Sequence, residues 1–218
     1  MKNNPSFDFS ILIRPVLFLT VLLSLTSFVI YLKNHYTTTR QQTLLNTTRP
    51  SFELLLQYAF GTGPTPPIDD LKQYLDYFQL VDAYLDKNDQ ASMMLGYLQN
   101  LNGNDTQAHH YFQHAYILNQ TSLINQYNYG LMLFQQGQYQ EATHVLQTST
   151  QINPQEQFTQ LNTSIIYHQL VPKTLWPQIG ARLIQLQQHA RALLIESVKR
   201  ASSSSTTHTP IPLKPRIF

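Results

Sequence analysis

The chain has 218 residues, a formal net charge of +2, 12% charged residues and no cysteine. So small a charge, with no basic stripe, gives nucleic-acid binding no electrostatic support. The lack of cysteine excludes a disulfide framework and thiolate metal sites, and permits an oxidising compartment without demanding one.

The N-terminal segment reads as a membrane anchor. Pro15 to Leu32 is uncharged and rich in Leu, Val, Ile and Phe, and Ile11, Leu12 and Ile13 extend the run beyond Arg14. About 20 apolar residues span a bilayer as a helix, and an arginine near the end can reach the interface. Tyr31 and Lys33 suit the opposite boundary. Residues 1–33 are therefore a short tail and a single transmembrane helix, with membrane contact through 11–32. The alternative is a cleaved signal peptide, whose apolar core is usually about 7–15 residues before a small-residue cleavage site. Here bulky Phe28, Val29, Ile30 and Tyr31 follow the only small residues. Lys2 and Arg14 on one side against Lys33, Arg40 and Arg49 on the other do not decide topology. The signal-anchor layout places the remaining domain on the extracytoplasmic, periplasm-like side.

Residues 34–67 read as a stalk, rich in Thr and Gln up to about residue 50 and ending in a stiff turn from Gly61 to Pro67. A helix is predicted over 68–86, opened by Pro66 and Pro67, with Leu71, Tyr74, Leu75, Phe78 and Val81 on one side. Asp69 and Asp70 fall in its first turn, where carboxylates suit free N–H groups and the helix dipole better than acid–base work.

Two stretches then repeat at an offset of 34 residues. Leu95, Gly96, Gly103, Ala108, Phe112 and Ala115 in 89–122 match Tyr129, Gly130, Gly137, Ala142, Leu146 and Ser149 in 123–156, which Pro154 closes. Gly96 and Gly130 sit mid-helix, where Gly costs about 1 kcal/mol against Ala and implies that a neighbouring backbone approaches closely. Gly103 and Gly137 lie just past the first helix of each pair, where a left-handed cap is needed. Ala108 and Ala142 keep the second helices thin, and Phe112 and Leu146 fill the gap on the same face. A period of this length marks helix-turn-helix units that bury their apolar faces by stacking.

This pattern resembles the tetratricopeptide repeat (TPR), best in 123–156 and more loosely in 89–122, where Gln99 and Gln120 stand in place of a large apolar residue and Pro. The flanks extend the array. Residues 157–170 repeat the first-helix pattern with Leu161, Ile165 and Tyr167, and a last helix over about 174–200 carries Trp176, Ile179, Leu183, Leu186, Ala190 and Leu193 at a 3.5-residue period. That stripe caps the array, docks in its groove, or pairs with a second copy as a homodimer. The expected fold is all-α: the transmembrane helix, then a short right-handed α-superhelix over 68–200, seven or eight helices counted from residue 51. Residues 201–218, Ser/Thr-rich and then carrying Pro210, Pro212 and Pro215, form a tail that is disordered or extended, or else a proline-rich docking peptide.

The resemblance implies a concave groove lined by the first helix of each repeat. Carried onto this chain, its partner-binding positions are Met93, Tyr97, Asn100 and Leu101, then Ile124, Tyr127, Leu131, Phe134 and Gln135, then Leu161, Ile165 and His168. None is Lys or Arg, so capture of an acidic C-terminal peptide, which needs cationic donors, is not implied. An apolar groove suits an amphipathic helix or an apolar peptide segment of a partner protein.

No phosphate loop, nucleophile elbow or thiol ligand is present in the sequence. His109, His110 and His114 are the sharpest candidate for a metal site, since His110 and His114 are four apart on a helix. They are assigned to a solvated outer face with no acidic residue at helical spacing. The expectation is no enzyme, no metal and no cofactor. The leading reading is a single-pass, membrane-anchored TPR scaffold that aids assembly or stabilisation of a membrane or envelope complex. The alternative is a permanent structural subunit with its TPR surface buried against neighbours.

Overall fold

The computed structural model describes residues 27–28, 43, 48–85, 88–202 and 214–218. Every regular element among them is helical: α1 (Glu53–Ala59), α2 (Ile68–Tyr84), α3 (Asp89–Leu101), α4 (Asp105–Leu118), α5 (Leu123–Gln135), α6 (Tyr139–Ser149), α7 (Pro154–Thr163), α8 (Ile165–Leu170), a 3₁₀ turn (Lys173–Leu175) and α9 (Trp176–Ser202). The offset of 34 residues is that between α3–α4 and α5–α6. Each first helix starts at a residue able to satisfy free N–H groups. Asn88 Oδ1 accepts from the N–H of Gln90 and of Ala91, both at 3.0 Å. Ser122 Oγ accepts from Asn125 N–H at 3.3 Å. The turns inside the two pairs carry Gly103 and Gly137 at φ of 76° and 79°, the left-handed region where a side chain is strained.

The mid-helix glycines fit side chains, not a backbone. A Cβ on Gly96 would lie 2.6 Å from Phe112 Cδ1, and one on Gly130 would lie 2.7 Å from Leu146 Cγ. Phe112 and Leu146 are fully buried in these notches. The helix crossing is thus a knob from the second helix set into a hole in the first.

Two expected boundaries shift. The folded unit starts near Arg49, not at 68. Phe52 places its ring 5.5, 5.4 and 5.6 Å from those of Tyr74, Tyr77 and Phe78, and Leu55 and Leu56 of α1 are buried. The core side of α2 uses Tyr77 where Leu75 was expected, and its cap, Pro67, offers no side-chain bond, while Asp69 and Asp70 lie in the first turn, where the dipole favours them. The second shift is at 157–170. Ser164 adopts extended backbone and caps α8 by accepting Tyr167 N–H, which splits one expected helix into α7 and α8. With α1, that split makes nine α-helices between residues 53 and 202 among the described residues.

The apolar stripe of α9 is buried from Trp176 through Leu193, and Ser197 and Arg200 continue its spacing. It lies along α6 and reaches α5 and α7, which cover the stripe within the chain. Arg200 ends the stripe with its guanidinium 4.7 Å from the Phe134 ring centre and 5.7 Å from that of Tyr139, held by Glu196 at 2.8 Å.

Residues 1–48 form a separate unit, of which only 27, 28, 43 and 48 are described. The expected anchor at 11–32 lies outside the described residues apart from Ser27 and Phe28. Among the described residues, no helix is long and apolar enough to cross a membrane.

Candidate functional site

α5 is fixed at its start by Ser122 and by Gln157, whose buried side chain accepts the N–H of Leu123 at 2.7 Å. That bond satisfies an N–H with no partner inside the helix. α5 thereby presents Tyr127 and Asn128, both fully buried, to a segment from the other end of the sequence.

That segment is Lys214–Phe218. Asn128 Nδ2 donates to the carbonyl of Arg216 at 2.6 Å, and Asn128 Oδ1 accepts the N–H of the same residue at 2.7 Å. Tyr127 Oη donates to the carbonyl of Lys214 at 3.3 Å. Tyr167 Oη, from α8, donates to the carbonyl of Ile217 at 2.6 Å. Ile217 and Phe218 are 1% and 4% exposed. The Phe218 ring lies 4.9 Å from that of Phe60 and 6.4 Å from that of Tyr167. Arg182 of α9 donates to the carbonyl of Phe60 at 2.6 Å, tying α9 to the end of α1. Of the forms expected for this tail, the last five residues take an extended one, seated on the helices. A Ser/Thr/Pro composition cannot build a core of its own, yet two apolar side chains suffice to fill a groove supplied by the helices.

Burial sets the electrostatics. It pushes the Tyr127 hydroxyl up to about 12, against the opposing pull of Arg216. It raises Tyr97, with a smaller contribution from Tyr58, and raises Tyr167 well above the ordinary range, with Asp89 adding to the effect. All three tyrosines are protonated near neutral pH, so Tyr127 and Tyr167 serve as donors. Burial, and then the Arg216 guanidinium, hold His189 of α9 below its usual value. Arg216 Nε is buried with no hydrogen-bond partner. Beside Lys214 and Pro215 an open cavity of about 660 Å³ remains, lined by Tyr58, Tyr97, Asn100, Asp105 and Gln135 among others.

The positions implied by the resemblance divide into four groups. Tyr127 holds the segment, and Tyr97, Asn100, Leu101 and Gln135 line the cavity beside it. Met93, Ile124 and Leu161 line a smaller cavity of about 110 Å³, where Asn125 Nδ2 donates to Asp89 Oδ2 at 2.9 Å. Leu131 is core, and Phe134 turns to Tyr139, at 5.3 Å between ring centres, under the cover of Arg200. Ile165 is 61% exposed, because the break at Ser164 puts Ile166 and Tyr167 inward instead; His168 is exposed too and bonds to the Asn162 carbonyl. Tyr97, Tyr127, Leu131 and Phe134 are all buried and so form no exposed apolar strip. The pattern of positions missed Asn128. Its signal was a polar residue inside the otherwise apolar face of α5, because a buried amide must find partners.

The histidines separate as well. His110 is exposed, but His109 is half-buried with its ring 5.7 Å from that of Tyr129. His114 Nδ1 lies 2.9 Å from the buried Ser92 Oγ, which donates to Asp82 Oδ1 at 3.2 Å. A hydroxyl has one proton, so His114 is the donor in this chain. The three groups pin α2, α3 and α4 together, and the outer-face assignment of His114 is corrected. Among the described residues no group of three or more His, Asp or Glu side chains is placed to hold a metal.

No protein-family model matches the chain, and no curated protein matches it either.

Proposed function

We propose that the protein is a single-pass, membrane-anchored TPR scaffold, with its right-handed superhelix on the extracytoplasmic side, that holds a partner protein near the bilayer and performs no chemistry. The observation that carries the reading is the pair of bonds between Asn128 and the main chain of Arg216. The N–H and C=O of one residue point to the same side only in extended backbone, as in a strand pair. In a helix those groups are already used by the helix itself. Of the two partner types that the sequence suggests, this favours an extended apolar segment over an amphipathic helix. The apolar run at 11–32 supports the anchor.

The test is photo-crosslinking in native membranes. A photoreactive residue at Asn100, on the cavity wall, should yield a discrete protein adduct identifiable by mass spectrometry, whereas one at His110 on the exposed face should not. Equal adducts from both positions, or none from Asn100, sink the groove as the working surface. Release of the chain by carbonate washing sinks the anchor.

A further inference from the structure

We propose that Lys214–Phe218 is a resident pseudo-ligand of the groove, exchanged for a partner segment with the same pattern: an aliphatic and then an aromatic residue, in extended backbone. The inference rests on the reading of the groove as a protein-binding site.

The contacts divide by kind. Those to Lys214, Arg216 and Ile217 made by Tyr127, Asn128 and Tyr167 are to main-chain groups, which any extended peptide presents. The side chains of Pro215, Ile217 and Phe218 are buried, the last against Phe60 and Tyr167, and these can discriminate by shape.

The fit is also incomplete. Arg216 Nε is buried without a partner, and buried polar groups in a well-matched interface are satisfied. A cavity of about 660 Å³ lies open beside Lys214 and Pro215. A partner segment that carries no such unpaired group and fills this space makes every bond the resident makes, and more. An empty groove, by contrast, would leave the buried amide of Asn128 unpaired and two apolar pockets wet, so the resident keeps the site in a folded, closed form. Being part of the same chain, it competes at an effective concentration of the order of millimolar, which rejects weak or accidental ligands.

The experiment uses the purified full chain in detergent, a variant ending at Leu213, and a fluorescent peptide with the sequence Thr209–Phe218. The peptide should bind the shortened chain at least about tenfold more tightly than the full chain, because the intramolecular competitor is gone. Asn128→Ala in the shortened chain, or Ile217→Asp with Phe218→Asp in the peptide, should abolish binding. Equal binding to both chains overturns the proposal, as does no binding by a shortened chain that keeps its helical circular dichroism. Loss of helix on shortening overturns it too, since the segment is then part of the core. Exchange of the segment between differently labelled copies shows occupation in trans and overturns the intramolecular form. The two readings fail separately. If the peptide exchanges but Asn100 crosslinks no partner in either chain, the scaffold function falls and the pseudo-ligand stands. If a partner crosslinks equally to both chains and the peptide binds neither, the reverse holds.

Discussion

Asn128 and Arg216, 88 residues apart, exchange two hydrogen bonds between one side chain and one residue's main chain, at 2.6 and 2.7 Å. This makes a buried amide the register pin of the Lys214–Phe218 segment. Asn128→Ala removes both bonds and leaves part-buried main-chain groups unpaired, at about 1–3 kcal/mol. Hydrogen exchange should report it locally: the Arg216 amide should lose protection while amides in α3 and α4 keep theirs. Uniform loss across the domain would show that Asn128 supports the helices themselves.

The notch at Gly130 gives a prediction about packing. Gly130→Ala gains up to about 1 kcal/mol of helix propensity, but its Cβ meets Leu146 at 2.7 Å, and overpacking costs about 1–3 kcal/mol. Thermal melts should therefore show net destabilisation. Combining it with Leu146→Ala should cost less than the sum of the two single changes, because the second makes room for the first. Strict additivity would mean that the knob and hole are not coupled.

Much of this arrangement was legible in the sequence, because it is local. The left-handed Gly103 and Gly137 and the stripe of α9 each depend on residues within one helix or one turn, and the 34-residue offset and the notch glycines on a helix and its neighbour in sequence. What was not legible depends on partners far along the chain. Ser164 reads as one more polar residue in a helical pattern until its hydroxyl caps α8. Phe134 reads as a groove residue because the approach of Arg200 from α9 is invisible at that distance. Ile217 and Phe218 read as the end of a polar tail because a pocket made by Phe60 and Tyr167 leaves no mark near them.

Arg200 and Glu196 should contribute unequally. The ion pair is a partly solvated i, i+4 contact worth at most a few tenths of a kcal/mol. The guanidinium over Phe134 is buried, and such cation–π contacts range from about 0.5 to 2 kcal/mol. Arg200→Ala should lower the melting temperature clearly more than Glu196→Ala. Equal effects would assign the stabilisation to the ion pair.

Acid should loosen the seated segment. His189 is held low by burial and then by Arg216, and Arg182 lines the same small pocket. A histidine whose folded pKa is depressed favours the fold while neutral, so its contribution is complete above the free value of about 6.5 and declines as pH falls through it. Protection of the Arg216 amide should fall between about pH 7.5 and pH 5.5, and His189→Gln should flatten that dependence. An unchanged profile in the variant would remove His189 from the effect.

The separation between Tyr167 or Asn128 and the segment they hold also bears on the order in which the domain folds. Helix pairs such as α3–α4 and α5–α6 close over short stretches of chain, whereas the bond from Asn128 spans 88 residues. Non-local contacts require a larger loop-closure entropy before they give any return, and they form late. The helical array must therefore assemble while its groove is still empty, with Asn128 unpaired. On refolding, far-ultraviolet circular dichroism should recover ahead of protection of the Arg216 amide. A newly folded chain would then pass through an interval in which an outside segment meets the groove before the chain's own residues reach it.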